Sequence, residues 1–130
     1  MKLDHIAIAV SSLEDAVRTY ESLGLRVDDI VTIESQKVRV AILQVGESCI
    51  ELLEPTATNS VIQRFLETKK PGVHHLCFKV KNLDEKLSEL KLANVEVLEQ
   101  VPCRGYQDRR VAFLHPKTTH GVLIELVEET

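Results

Sequence analysis

Near the N-terminus, Ile6, Ile8 and Val10 alternate with His5, Ala7 and Ala9, a period of two that predicts a half-buried strand. The period then changes. Leu13, Ala16, Val17, Tyr20 and Leu23 recur at helical spacing, and Ser11 followed by Glu14 has the form of a capping box. Gly24 suits the position just beyond a helix end. Strand patterns follow over residues 25–33, 37–45 and 47–53, so this stretch reads β-α-β-β-β.

The same grammar returns later in the chain. His75 stands 70 positions after His5, and Val80, Leu83, Asn94 and Val97 stand at that offset from Val10, Leu13, Gly24 and Val27. Asn82 is placed to cap a helix with Glu85 at its third position, and Leu83, Leu87 and Leu90 form its apolar stripe. Gly24 and Asn94 are the residue types that most readily adopt the left-handed conformation ending a helix. Strand patterns over 95–101, 109–114 and 121–127 complete the second copy. Each copy closes on the same kind of strand, Ile50-Glu51-Leu52 and Ile124-Glu125-Leu126. The expected fold is therefore α+β. Two tandem βαβββ modules (1–54 and 73–130), with a linker and short helix at 55–72, form a single domain. They are expected to build one curved, mostly antiparallel eight-stranded sheet with helices outside and a concave face within.

Composition narrows the setting. In 130 residues, 44% hydrophobic and 28% charged, there is enough apolar material for one sizeable core. A formal charge of −4 gives no general attraction to nucleic acid or anionic membrane. Cys49, Cys77 and Cys103 are odd in number and widely spaced, as reduced thiols of a cytoplasmic protein would be. No signal-peptide pattern precedes the first strand.

Strand parity supplies the candidate chemistry. If Ile6 and Ile8 face the helices, His5 faces away; the same rule sets His75 apart from Leu76 and Phe78, and Glu51 and Glu125 apart from their aliphatic neighbours. His74 has the opposite parity to His75. A lone strand histidine is ordinarily a core residue, but two His and two Glu at matching module positions form a donor set for one divalent ion. Two imidazoles and two carboxylates suit Co, Ni, Mn, Fe or Zn.

The stretches His5 to Val10, Glu51-Leu-Leu-Glu-Pro55, His74-His75, Val111 to Lys117 and Gly121 to Leu126 resemble the vicinal oxygen chelate superfamily. Within it they are most similar to the methylmalonyl-CoA epimerase family. That resemblance implies His5, Glu51, His75 and Glu125 as metal ligands, with cobalt the expected ion and nickel, manganese or zinc alternatives. It implies epimerisation of (R)- and (S)-methylmalonyl-CoA through a metal-stabilised enolate, with Glu125 as an acid/base, an acyl-CoA as small-molecule partner, and a homodimer. Lys117 and Arg104 are candidates to meet CoA phosphates or the substrate carboxylate.

Two departures from the family pattern stand out. Some epimerases carry a second glutamate on the third strand where this chain has Val40, and relatives are glycine-rich where it reads Arg104-Gly-Tyr-Gln-Asp-Arg109. His115-Pro116 is expected to shape a turn, and the pairs Lys69-Lys70 and Arg109-Arg110 to be surface charge. A glyoxalase I-like isomerase shares the ligand set, a bleomycin-resistance-type binder needs no metal chemistry, and a dioxygenase would use two His and one Glu. The Phe113 to Lys117 block favours the epimerase over the glyoxalase, the four intact candidate ligands argue against the binder, and a dioxygenase typically has a longer chain.

Overall fold

The computed structural model describes residues 1–98, 103–104 and 106–130, with the side chains of 103, 104 and 106 outside the described part. The fold is α+β, its strand pairs mostly antiparallel, and it divides into two compact units, His5–His74 and Met1–Asp4 with His75–Thr130.

The unit His5–His74 contains most of β1 (Lys2–Ala9), then α1 (Leu13–Ser22), β2 (Arg26–Ile33), β3 (Val38–Val45), β4 (Ser48–Pro55) and α2 (Val61–Lys69). Its strands lie in the order β2-β3-β4-β1, antiparallel except for the parallel pair β1–β4. Helix α1 packs its apolar stripe on one face of this sheet. There Leu13 meets Val10, Ala41, Leu43 and Leu52, with Ile8, Ala16, Val17, Tyr20 and Ile50 around them. The side chains that carry β1 and β4 into this core are the ones that alternation predicts.

The other unit holds β5 (Gly72–Val80) from His75 onward, α3 (Leu83–Leu92), β6 (Cys103–Arg104), β7 (Arg110–Leu114) and β8 (Ile124–Glu128). Its order is β5-β8-β7-β6, again with one parallel pair, β5–β8. Leu83, Leu87 and Leu90 of α3 pack on Phe78, Val80, Ala112, Leu114, Ile124 and Leu126. On the opposite face a second, smaller cluster joins Cys77, Val111 and Val127.

The helix ends repeat closely. Gly24 (φ 100°) and Asn94 (φ 63°) are both left-handed, and the amides of Leu25 and Val95 donate to the carbonyls of Tyr20 and Leu90. At the other end one expectation is corrected. The cap of α1 is Ser12, whose hydroxyl accepts from the Asp15 amide, rather than Ser11 with Glu14. Asn82 accepts from Glu85 in the matching position, as expected. Ser12 and Asn82 share the 70-residue offset, so the repeat itself selects the correct serine. In the second copy, the pattern over 95–101 yields a single bridge, Val97 to Leu114, and residues 99–101 lie outside the described part.

A further device is repeated that the patterns do not announce. The Leu13 amide donates to Glu54 Oε2 at 2.8 Å, and the Leu83 amide to Glu128 Oε2 at 2.9 Å. The last residues of each closing strand thus satisfy an orphan donor at a helix N-terminus and place negative charge at its positive pole. Arg39 braces Glu54 and Glu14 in the first unit; Arg110 braces Glu128 and Asp84 in the second. Arg110 is therefore a structural cation, which corrects its reading as mere surface charge.

Glu54→Ala or Glu128→Ala is expected to cost about 1–2 kcal/mol, the scale of a lost helix cap, readable as a lower melting temperature at neutral pH. Hydrogen bonds from Arg39 and Arg110 hold the Glu14 and Asp84 carboxyls below their ordinary values. Because the folded value is the depressed one, their contribution is complete above the ordinary carboxylate range and fades as pH falls through it. Wild-type melting should accordingly decline below about pH 4–5, and less steeply in Arg39→Gln/Arg110→Gln.

Candidate functional site

Each unit presents one histidine–glutamate pair on the sheet face turned away from its helix. In the first, β1 and β4 are parallel neighbours, and Ile8, Ile50 and Leu52 are committed to the core under α1. Alternation therefore turns His5 and Glu51 to the opposite face. His5 Nδ1 lies 3.2 Å from Glu51 Oε2, and the residues are only 4% and 8% exposed. In the second, β5 and β8 are the parallel neighbours, and Phe78, Ile124 and Leu126 pack under α3. His75 Nε2 lies 2.9 Å from Glu125 Oε1, with 6% and 8% exposure. The two imidazoles turn different nitrogens to their glutamates.

The pairs have the chemistry of ligands. Burying a carboxylate is costly unless charge or hydrogen bonds compensate it. A strand glutamate beside an imidazole, buried twice at equivalent positions, is a donor set that fits a divalent cation better than it fits a packed core. Carboxylate oxygens and imidazole nitrogens accept Co, Ni, Mn or Zn without any thiolate.

The surroundings differ between units. Around Glu51 the wall is aliphatic: its register partner on β3 is Ile42, and Val40, two residues along the same face, is buried. Val40 thus stands close to Glu51 but brings no titratable group. Around Glu125 the wall is aromatic. Phe113 is its register partner on β7, and the Phe113 ring meets the His75 imidazole edge-to-face at 5.5 Å between centroids. His74 has the opposite parity and instead meets Phe65 of α2 edge-to-face, with centroids 4.9 Å apart.

Other sequence candidates fall elsewhere. Lys117 is exposed in a short 3-10 turn after β7 and pairs with Glu96 at 3.2 Å. His115 shapes that turn, its Nδ1 accepting from the Lys117 amide. Arg104 lies on β6, with its side chain outside the described part. Arg109 is not surface charge: its guanidinium grips Asp4 through two hydrogen bonds of 3.0 and 3.2 Å, with Lys79 3.7 Å from the same carboxylate. The turn before it places Gln107 and Asp108 at φ 61° and 57°, a conformation that glycine adopts more cheaply.

Known proteins resemble the chain over nearly its whole length. Over 128 residues the chain is 42% identical to the uncharacterized protein YqjC of Bacillus subtilis, spanning 98% of this chain and 91% of that one. It is 37% identical to the mitochondrial methylmalonyl-CoA epimerase of Homo sapiens, spanning 96% of this chain and 72% of the relative. Among solved structures, a variant methylmalonyl-CoA epimerase of Streptomyces coelicolor in complex with 2-nitronate-propionyl-CoA superposes with a TM-score of 0.94. Its identity is 36%, and the match covers 100% of this chain and 98% of that one. The family model matches residues 4–113, which include His5, Glu51, His75 and Phe113. On this match and these relatives, the chain belongs to the glyoxalase/bleomycin resistance protein/dioxygenase superfamily.

Proposed function

We propose that the protein is a metal-dependent epimerase that interconverts (R)- and (S)-methylmalonyl-CoA. The observation that carries this reading is the paired His–Glu arrangement, one buried pair in each unit, in a chain whose epimerase relatives run its full length. In this reading the strands of both units join one curved eight-stranded sheet, and His5, Glu51, His75 and Glu125 hold one divalent ion on its concave face. Cobalt is the expected ion. When bound, it supplies positive charge that stabilises the enolate developing between thioester and carboxylate.

The chain's own residues do the rest. Glu125 takes the C2 proton at a carboxylate oxygen on one face of the substrate, and the enolate is reprotonated on the opposite face; the reverse direction runs the same two transfers backwards. Glu51 is the carboxylate of the other unit available for transfer on the opposite face, since Val40 supplies none. Burial of both pairs keeps bulk water from competing for the proton. Lys117, whose exposed pairing with Glu96 is weak and exchangeable, is assigned with Arg104 to the anionic groups of the thioester. The protein acts as a cytoplasmic homodimer on this small acyl-CoA.

The test is exchange in D₂O. Cobalt-loaded protein should wash deuterium into C2 of methylmalonyl-CoA, with one metal bound per chain. No exchange after restoring Co²⁺, Ni²⁺ or Mn²⁺, together with turnover of a glutathione hemithioacetal, would sink the epimerase reading.

A further inference from the structure

We infer that Phe113 is a positioning residue, holding the imidazole of His75 and the carboxylate of Glu125 in the orientation from which both serve one ion. This rests on the metal site proposed above. His75, Phe113 and Glu125 all lie within one unit. Strand β8 runs between β5 and β7, and His75 lies two residues along β5 from Cys77, the register partner of Glu125, so the backbones of His75 and Phe113 stand more than two strand spacings, or upwards of roughly 10 Å, apart. Their ring centroids are nevertheless only 5.5 Å apart, with planes at 83°. The two rings therefore reach toward each other across the strand that carries Glu125. Phe113 is also Glu125's direct partner in the antiparallel ladder, where facing side chains stand about 5 Å apart at Cβ.

Three consequences follow from that placement. The edge-to-face contact limits rotation of the imidazole about χ2, which fixes where Nε2 points. The ring is also an apolar neighbour on the β7 side of Glu125, whose carboxylate lies 2.9 Å from His75 Nε2. Finally, an apolar wall raises the strength of whatever charge interaction Glu125 makes. Phe113 does all this without touching the metal, as residues around the ligands of a metal site commonly do. The core beneath is supplied by other residues: Ala112 and Leu114, its neighbours on β7, face α3, and Phe113 does not.

Co²⁺ titration monitored by visible absorption, run beside steady-state exchange kinetics, tests the assignment. Phe113→Ala should weaken Co²⁺ binding about 10–100-fold, change the cobalt band, and lower kcat with little change in KM. Phe113→Tyr, which keeps the ring, should restore both affinity and spectrum. Should Phe113→Ala fail to fold, Phe113→Leu is read in its place and is expected to lose affinity in the same direction. A folded Ala or Leu variant with wild-type affinity and spectrum overturns the positioning role while leaving the metal site intact. Failure of the wild type to bind Co²⁺ instead removes the reading on which the role rests.

Discussion

Glu125→Gln should abolish deuterium exchange at C2 while leaving the fold in place. Glutamine keeps the shape of the side chain and an oxygen to face His75 Nε2, now 2.9 Å from the carboxylate, so packing around it changes little. It cannot accept a proton, and loss of a positioned base alone removes about 10²–10⁴-fold of rate. The neutral amide is also a poorer metal ligand. The combined loss should therefore exceed about 10³-fold. Melting temperature and exchange rate, measured on the same preparation, separate chemistry from folding. Full exchange by a well-folded Glu125→Gln protein would remove Glu125 from its proposed role. Glu51→Gln is the informative companion, because it alters the carboxylate of the other unit and leaves Glu125 untouched.

The second large effect concerns metal. Dialysis against a chelator should end exchange, and added Co²⁺ should restore it. His5→Ala should prevent that restoration except at far higher Co²⁺, by more than the 10–100-fold that residues outside the ligand set typically contribute. The same variant deprives the buried Glu51 carboxylate of an imidazole now 3.2 Å away. Losing one neighbour of a buried polar group costs about 1–3 kcal/mol, so metal-free His5→Ala should melt below wild type. His74→Ala serves as the contrast: it removes a ring in edge-to-face contact with Phe65 and should leave Co²⁺ affinity unchanged.

The sequence discloses the parts of this molecule that depend on periodicity. Alternation along β1, β4, β5 and β8 separates the four candidate ligands from the aliphatic residues that pack under α1 and α3, because neighbouring strand residues face opposite sides of a sheet. The offset of 70 finds Gly24 and Asn94 at equivalent helix ends, where only the left-handed conformation closes the turn. Contacts between distant segments are hidden from such patterns. Arg110 looks like one of two adjacent surface cations until Asp84 and Glu128 are brought beside it. Arg109 looks like the other until folding delivers Asp4, which lies 105 positions away. Local spacing to Glu14 points to Ser11, whereas the offset of 70 from Asn82 points to Ser12, the residue that caps α1. The signal for the glutamates that cap α1 and α3 was present as Glu51-x-x-Glu54 and Glu125-x-x-Glu128. Nothing in that spacing says which backbone amide the second glutamate reaches.

Those glutamate caps also bear on the order in which the chain folds. The amide of Leu13 waits for Glu54, 41 residues downstream, and the amide of Leu83 for Glu128, 45 residues downstream. A ten-residue helix is marginal in water without tertiary support. Each helix therefore gains its final N-terminal partner only when the last strand of its unit docks. A chain emerging from synthesis cannot finish α1 until β4 has been made, and cannot finish α3 until β8 has been made. Such contacts of long sequence separation slow folding, and they make each unit close in a single late step.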